Sequence, residues 1–224
     1  RAFSHAIDKK ALVHEASQDA YFPATGGFIP PGMPGHSDDI GIVYDPGRAR
    51  SLLDEAGFPG GRGFPEVRWS FIKGPVDNPV VPILQQSWKR VLNLDINPTL
   101  ISWKNFLEQR DTDPPDLALN AWSADYPDPD NFLRILFHSK EGINPIRWRN
   151  AEFDRCVEEA VRILDQNQRL ELYRKADRIL VAEETVIVPI YYSQGRILAK
   201  PWVSIPRIPP AMLKLKEVIV GKKD

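Results

Sequence analysis

The sequence predicts an α/β fold with a mixed, mostly parallel sheet flanked by helices. Three observations predict it. Strand-like apolar runs at 66–73, 94–102 and 116–123 alternate with helix-period stretches at 82–92 and 102–110. The connections between them are short, which favours parallel pairing through right-handed crossovers. Two amphipathic helices follow, at 151–164 and after Asp165, long enough to cover a sheet or one another.

The elements can be justified in order. Ile7, Asp8 and Leu12 have the spacing of a hydrophobic staple around an N-cap, so a helix starts at Lys9. Asp45-Pro46 places a cap before a proline at the first helical position. Ala49, Leu52, Leu53 and Ala56 then share a face, and Gly57 ends the helix. In 82–92, Leu84, Trp88 and Val91 form the apolar side. Ser102 is placed to cap a short helix through Arg110. The run DLALNAWS (116–123) is apolar enough to be a buried strand. Asn150 caps the helix over 151–164, with Phe153, Val157, Ala160, Val161 and Leu164 on one face. Asp165 and Gln168 have capping-box spacing for the next helix, whose stripe is Leu172, Tyr173, Ala176, Ile179 and Leu180. VIVPIYYS (186–193) reads as a strand, with Pro189 marking an edge or bulge. The tail LKLKEVIV (213–220) alternates as a half-exposed strand would.

Composition narrows the function classes. The chain has 224 residues, 29 basic and 30 acidic side chains, and a formal net charge of -1. That balance gives no electrostatic footing for nucleic acid or an acidic membrane surface. No apolar run spans a bilayer, and no signal peptide is present. The chain opens on Arg1 inside a helical stretch, which points to a piece of a longer protein, so the missing leader does not bear on export. A single cysteine, Cys156, rules out an intrachain disulfide and a cysteine zinc site; in FDRCVEEAV it reads as a small buried hydrophobe. The 21 prolines cluster at 22–35, 57–65 and 201–210 as ordered connections, with no Gly/Ser linker and no internal repeat.

In α/β sheets ligands gather beyond the C-terminal ends of the strands, so the segment after the third strand carries the most interest. It runs Trp122-Ser123-Ala124-Asp125-Tyr126-Pro127-Asp128-Pro129-Asp130-Asn131-Phe132. Pro127 and Pro129 stiffen it before any ligand arrives. Asp128-Pro129 has the form of another cap and first position, opening a helix through Asn131, Phe132 and Leu133. Asp130 then sits in a first turn, where negative charge suits the helix dipole. Two roles are open to Asp125. Its carboxylate can anchor a ligand ammonium, with Trp122 and Tyr126 walling the apolar remainder. Alternatively it closes an Asx turn on its own backbone.

This stretch resembles the W-x-x-D-Y-x-D-P-x-x-F segment of the family 5 bacterial extracellular solute-binding proteins, the oligopeptide, dipeptide and nickel carriers of ABC importers. Four other stretches agree in order: RAFSHAIDKKALV (1–13), GGFIPPGMPG (26–35), YDPGRARSLLDEAGFPGG (44–61), and Asn144 followed by Trp148 to Asp154. The resemblance implies a type II periplasmic-binding-protein-like lobe. Residues 1–200 would form the second ligand-binding lobe, and 201–224 a C-terminal return toward a missing first lobe. It implies a non-enzymatic, periplasmic or extracellular carrier with no cofactor. Its partners would be a peptide or small-molecule ligand and the permease subunits. Membrane contact would come through the permease or a lipid anchor outside this piece. By family pattern, the aspartate matching Asp125 takes the peptide amino terminus, and Trp122-Ser123 lies along the ligand backbone. Tyr126 joins them as a candidate wall.

Rival classes find little support. There is no G-x-S-x-G elbow and no phosphate-binding loop. Metal-dependent chemistry at Asp128 and Asp130 conflicts with the proline between them and the cap role of Asp128. His5, His14, His36 and His138 lack metal-ligand spacing and read as surface or loop residues. A calcium loop at Asp125, Asp128 and Asp130 lacks the required glycine and glutamate. Nickel carriage follows from the resemblance alone. The six tryptophans could line a partner surface, but packing in a core or groove is the better reading.

Overall fold

The structure is a computed structural model that describes residues 1–18, 20–72, 78–193, 197–206 and 215–222. A one-turn helix α1 (Ala2–His5) leads into α2 (Lys9–Ser17). The Asp8 carboxylate accepts from the backbone N–H of Lys10 and Ala11, and Ile7 and Leu12 are both buried, as a staple requires. Asp45 accepts from the Arg48 N–H at 2.8 Å to open α3 (Pro46–Glu55). Ala49 and Leu53 of α3 face the core, while Ala56 is exposed. Gly57 reverses the chain at φ +90°, a conformation that costs residues with a Cβ about 1–2 kcal/mol.

The expected strand–helix–strand–helix–strand run is present. Strands β2 (Trp69–Ile72), β3 (Pro98–Ile101) and β4 (Leu117–Leu119) form a parallel sheet in the order β3-β2-β4, with Trp69 opposite Pro98 and Leu117. Helices α4 (Val80–Leu92) and α5 (Trp103–Thr112) are the connections. Pro82 is the third residue of α4, where its missing N–H would have no intrahelical partner in any case. Ser102 caps α5 by accepting from Asn105 N–H. The third strand is not buried as expected. Ala118 is exposed and Leu117 and Leu119 are half-buried, because β4 flanks β2 on one side and pairs with no other strand among the described residues.

Asn150 caps α7 (Ala151–Arg162) by accepting from Glu152 and Phe153 N–H, and Asp165 caps α8 (Gln166–Arg178) by accepting from Gln168 N–H. Phe153, Cys156, Val157 and Ala160 are buried. Two members of the expected stripe are not: Val161 lies exposed in the last turn, and Leu164 falls past the end, where Ile163 has turned extended. Helix α8 runs on through a π-turn at Ile179–Glu183. The expected strand over 186–193 shrinks to β5 (Tyr191–Tyr192), antiparallel to β1 (Phe22–Pro23), with Pro189 outside the ladder because it has no N–H to give. In the tail, β7 (Ile219–Val220) pairs antiparallel with β6 (Val203–Ser204), after a 3₁₀ turn at Leu215–Glu217 that replaces the expected continuous strand. The ends of three expected features, at Lys73, 207–210 and 213–214, lie outside the described residues. No helix among the described residues is long and apolar enough to cross a membrane.

Two apolar clusters hold these elements. The first joins α1 to α4 with the sheet, around Trp69 and Trp88 packed edge to face at 5.1 Å. The second joins Ile29, the 132–137 stretch, α7 and α8 around Phe153 and Tyr173. The proline-glycine loop at 26–35 is pinned to the second cluster by Asp177. This carboxylate is fully buried near the end of α8 and accepts from Phe28 N–H at 2.8 Å and Ile29 N–H at 3.3 Å. Tyr192 adds a hydrogen bond from its hydroxyl to the Gly27 carbonyl at 2.6 Å. The segment 120–132 crosses between the clusters: Leu117 and Leu119 pack on the first, Trp122 and Ala124 on the second.

Candidate functional site

Beyond β4 the chain runs without regular structure to Asp128, whose carboxylate accepts from Asp130 N–H at 2.9 Å. The cap is as expected, but what it opens is a single 3₁₀ turn at Pro129–Asn131, followed by a separate short helix α6 (Arg134–Phe137). Asp128 also pairs with Arg169 of α8, whose Nη2 lies 2.7 Å from Oδ1 and 2.8 Å from Oδ2.

Asp130 does more than face a helix dipole, which was its expected role. It is buried and held by Arg134, with Nε to Oδ1 at 2.6 Å and Nη2 to Oδ2 at 3.0 Å. The Tyr126 hydroxyl donates to its Oδ2 at 2.8 Å. Burial alone would raise the Asp130 carboxyl; the Arg134 guanidinium and the Tyr126 hydroxyl outweigh it and hold the group below the usual aspartate range. Burial, and then the bond to Asp130, push the Tyr126 phenol up, so it stays a protonated donor.

Asp125 is exposed. Its carboxylate does not close an Asx turn. Its Oδ2 accepts one long bond, 3.4 Å, from Asn131 Nδ2, while its backbone N–H donates to Asn131 Oδ1 at 3.2 Å. Trp122 is half-buried and donates its indole N–H to the same Asn131 oxygen at 2.8 Å. Ser123 is exposed beside them. The fold thus gathers Trp122 and Asp125 on Asn131, and ties Tyr126 to the neighbouring Asp130–Arg134 pair. Asp128 and Asp130 each have an arginine. Among the described residues Asp125 has no cation within ion-pair distance.

Sequence reasoning passed over Asn131, Arg134, Arg169 and Tyr173 as parts of this network. Arg134 had a signal, since it lies four residues after Asp130 on a helical path. Arg169, 41 residues from its partner, had none. His138 is also placed differently from expectation. It is buried, its Nδ1 accepts from the N–H of Lys140 and Glu141, and its Nε2 bonds Glu158, so it tethers a loop to α7. Two cavities, of about 260 and 360 Å³, lie along α3 and α4, and no residue of 122–132 lines either. Asp125 itself is exposed, whereas Pro129, Asp130 and Asn131 of the same segment are buried. No group of three or more His, Cys, Asp or Glu among the described residues is arranged to hold a metal ion.

The family model for bacterial extracellular solute-binding proteins, family 5 middle region, matches residues 1–144. The chain is 30% identical over 202 residues to the heme-binding protein A of Haemophilus influenzae, covering 87% of this chain and 36% of that protein. It is 31% identical over 233 residues to the di/tripeptide-binding protein 1 of Pseudomonas aeruginosa, covering 99% of this chain and 42% of that protein. The solved structure of the Escherichia coli murein tripeptide binding protein MppA matches the fold with a TM-score of 0.82 at 23% identity, over 99% of this chain and 44% of that one. The chain therefore spans less than half the length of these relatives. With well over half of its residues under the family model, the chain belongs to the bacterial extracellular solute-binding proteins, family 5.

Proposed function

We propose that the intact protein captures a peptide or similar amine-bearing solute outside the cytoplasmic membrane and delivers it to an ABC permease, without chemical turnover. Residues 1–200 act as the second ligand-binding lobe, and 201–224 return toward a first lobe. Asp125 pairs with the ligand ammonium, desolvated as the lobes close, while Trp122, Ser123 and Tyr126 border the ligand. The observation that carries this reading is charge bookkeeping within one segment. Of three carboxylates, Asp128 and Asp130 are each neutralised by an arginine, and Asp125 alone presents an exposed, cation-free oxygen pair among the described residues. The names of the peptide-binding relatives support the same ligand class.

Isothermal calorimetry on the intact protein with short free-amine peptides tests it. Asp125→Asn should weaken binding by about 2–5 kcal/mol if the pair is buried on closure. An unchanged dissociation constant removes Asp125 from the site, and conversion of the peptide sinks the carrier reading. The 30% identity to a heme-binding protein favours one alternative, carriage of haem or another metal chelate by the same fold. Titrations with hemin and with nickel salts, each free of peptide, decide between them.

A further inference from the structure

Asn131 is 1% exposed, and its side-chain amide sits between the two residues that the proposed ligand site depends on. Its orientation is set by its partners. The indole N–H of Trp122 and the backbone N–H of Asp125 are both donors, so the atom they approach, at 2.8 and 3.2 Å, must be the carbonyl oxygen. The amide N–H₂ is then forced to the other side, where it meets Asp125 Oδ2 at 3.4 Å. One buried group therefore fixes the indole plane, the backbone at the root of Asp125, and one oxygen of its carboxylate. Its own backbone N–H is committed to the Asp128 carbonyl at 3.1 Å, inside the turn capped by Asp128. That turn is braced by the Asp128–Arg169 and Asp130–Arg134 pairs, so the amide stands on a rigid base.

We propose that Asn131 is the positioning residue of the ligand site: it aims the Asp125 carboxylate at the ligand ammonium, without touching the ligand itself. The claim rests on the peptide-carrier reading above and deepens it. Pre-organisation of this kind raises affinity by removing the cost of ordering the carboxylate at the moment of binding. The effect belongs to the ammonium contact, so loss of Asn131 should cost free-amine ligands far more than ligands whose amine is blocked.

The test is calorimetry on the intact protein with a tripeptide and its Nα-acetylated analogue, for wild type, Asn131→Leu, Asn131→Ala and Asp125→Asn. In the Asn131 variants the preference for the free amine is expected to fall at least tenfold, with affinity for the acetylated peptide changed less than threefold. Equal weakening of both peptides marks Asn131 as merely structural and overturns the proposal, as does an unchanged preference. Leucine leaves two donors unpartnered and can block folding; alanine, with room for water, then carries the measurement. Asp125→Asn separates the two claims. If it abolishes the preference while the Asn131 variants keep it, only the positioning role fails. If wild type shows no preference or Asp125→Asn leaves it intact, the ammonium site itself is wrong, and the positioning claim falls with it.

Discussion

Asp177 gives the protein a pH dependence whose size follows from its surroundings. The carboxylate is fully buried, and burial pushes its pKa up from 3.8 to about 6, against the two N–H bonds from Phe28 and Ile29 that favour the charge. The folded-state value lies above the unfolded one, so between pH 4 and 6 the native state holds a proton that the unfolded chain has released. The stabilisation is fully present below the unfolded pKa and is lost as the pH rises through the folded one. The difference of 6 − 3.8 = 2.2 units corresponds to about 3 kcal/mol. Urea unfolding followed by tryptophan fluorescence, at pH steps from 4 to 8, measures it when wild type is compared with Asp177→Asn. Asparagine does not titrate, and its one carbonyl oxygen can accept from only one of the two backbone donors that Asp177 holds on separate oxygens. Its altered hydrogen bonding adds an offset that does not depend on pH, and all other groups cancel. The stability of the variant relative to wild type should climb by about 2.4 kcal/mol between pH 4 and pH 7.5, where most of the difference lies. Parallel profiles would refute the argument, because they would mean that the carboxylate is solvated or paired in the native state.

Lys9 gives the opposite trend at high pH. It is buried with its ammonium on the Ala24 carbonyl at 2.8 Å, and burial lowers its pKa to about 8. The cost of charging it is full below pH 8 and fades as the pH rises toward 10.5, so Lys9→Met should gain up to about 3 kcal/mol over wild type at pH 7 and progressively less by pH 10, read from chemical denaturation. Arg134→Met strips the partner from buried Asp130 and should cost about 3 kcal/mol; a loss near zero would show that the pair is solvated. A Cβ at Gly27 would collide with the Asp177 carboxylate and approach Ile40 Cδ1 at 2.8 Å, so Gly27→Ala should cost about 2 kcal/mol or more through overpacking. Gly57→Ala meets nothing within 4 Å and should lose only about 1–2 kcal/mol, from its φ of +90°; thermal melts of the two rank them.

The local signals were legible where the physics is local. Asp8, Asp45, Ser102, Asn150 and Asp165 each cap the helix that their spacing announced, since a cap needs only a side-chain oxygen within two or three residues of an unpaired N–H. The Asp128 cap within the candidate segment was legible in the same way, although it opens a 3₁₀ turn and not a longer helix. The errors have one origin. The exposure of β4, the retreat of 186–193 from a strand and the burial of His138 depend on what lies beside them in space, which hydrophobic pattern alone does not encode.

The sequence by itself determined the α/β class, the parallel strand–helix alternation, the helix starts and the family likeness, because these rest on periodicity and on contacts within a few residues. Only the tertiary structure decided which carboxylate is open. Asp128 is neutralised by an arginine 41 residues away, Asp130 is closed in by Arg134 and two tyrosines, and Asp125 is left outward on the amide of Asn131. Charge pairing across the fold is a matter of distance in space, and three aspartates within six residues become chemically different only once their neighbours arrive.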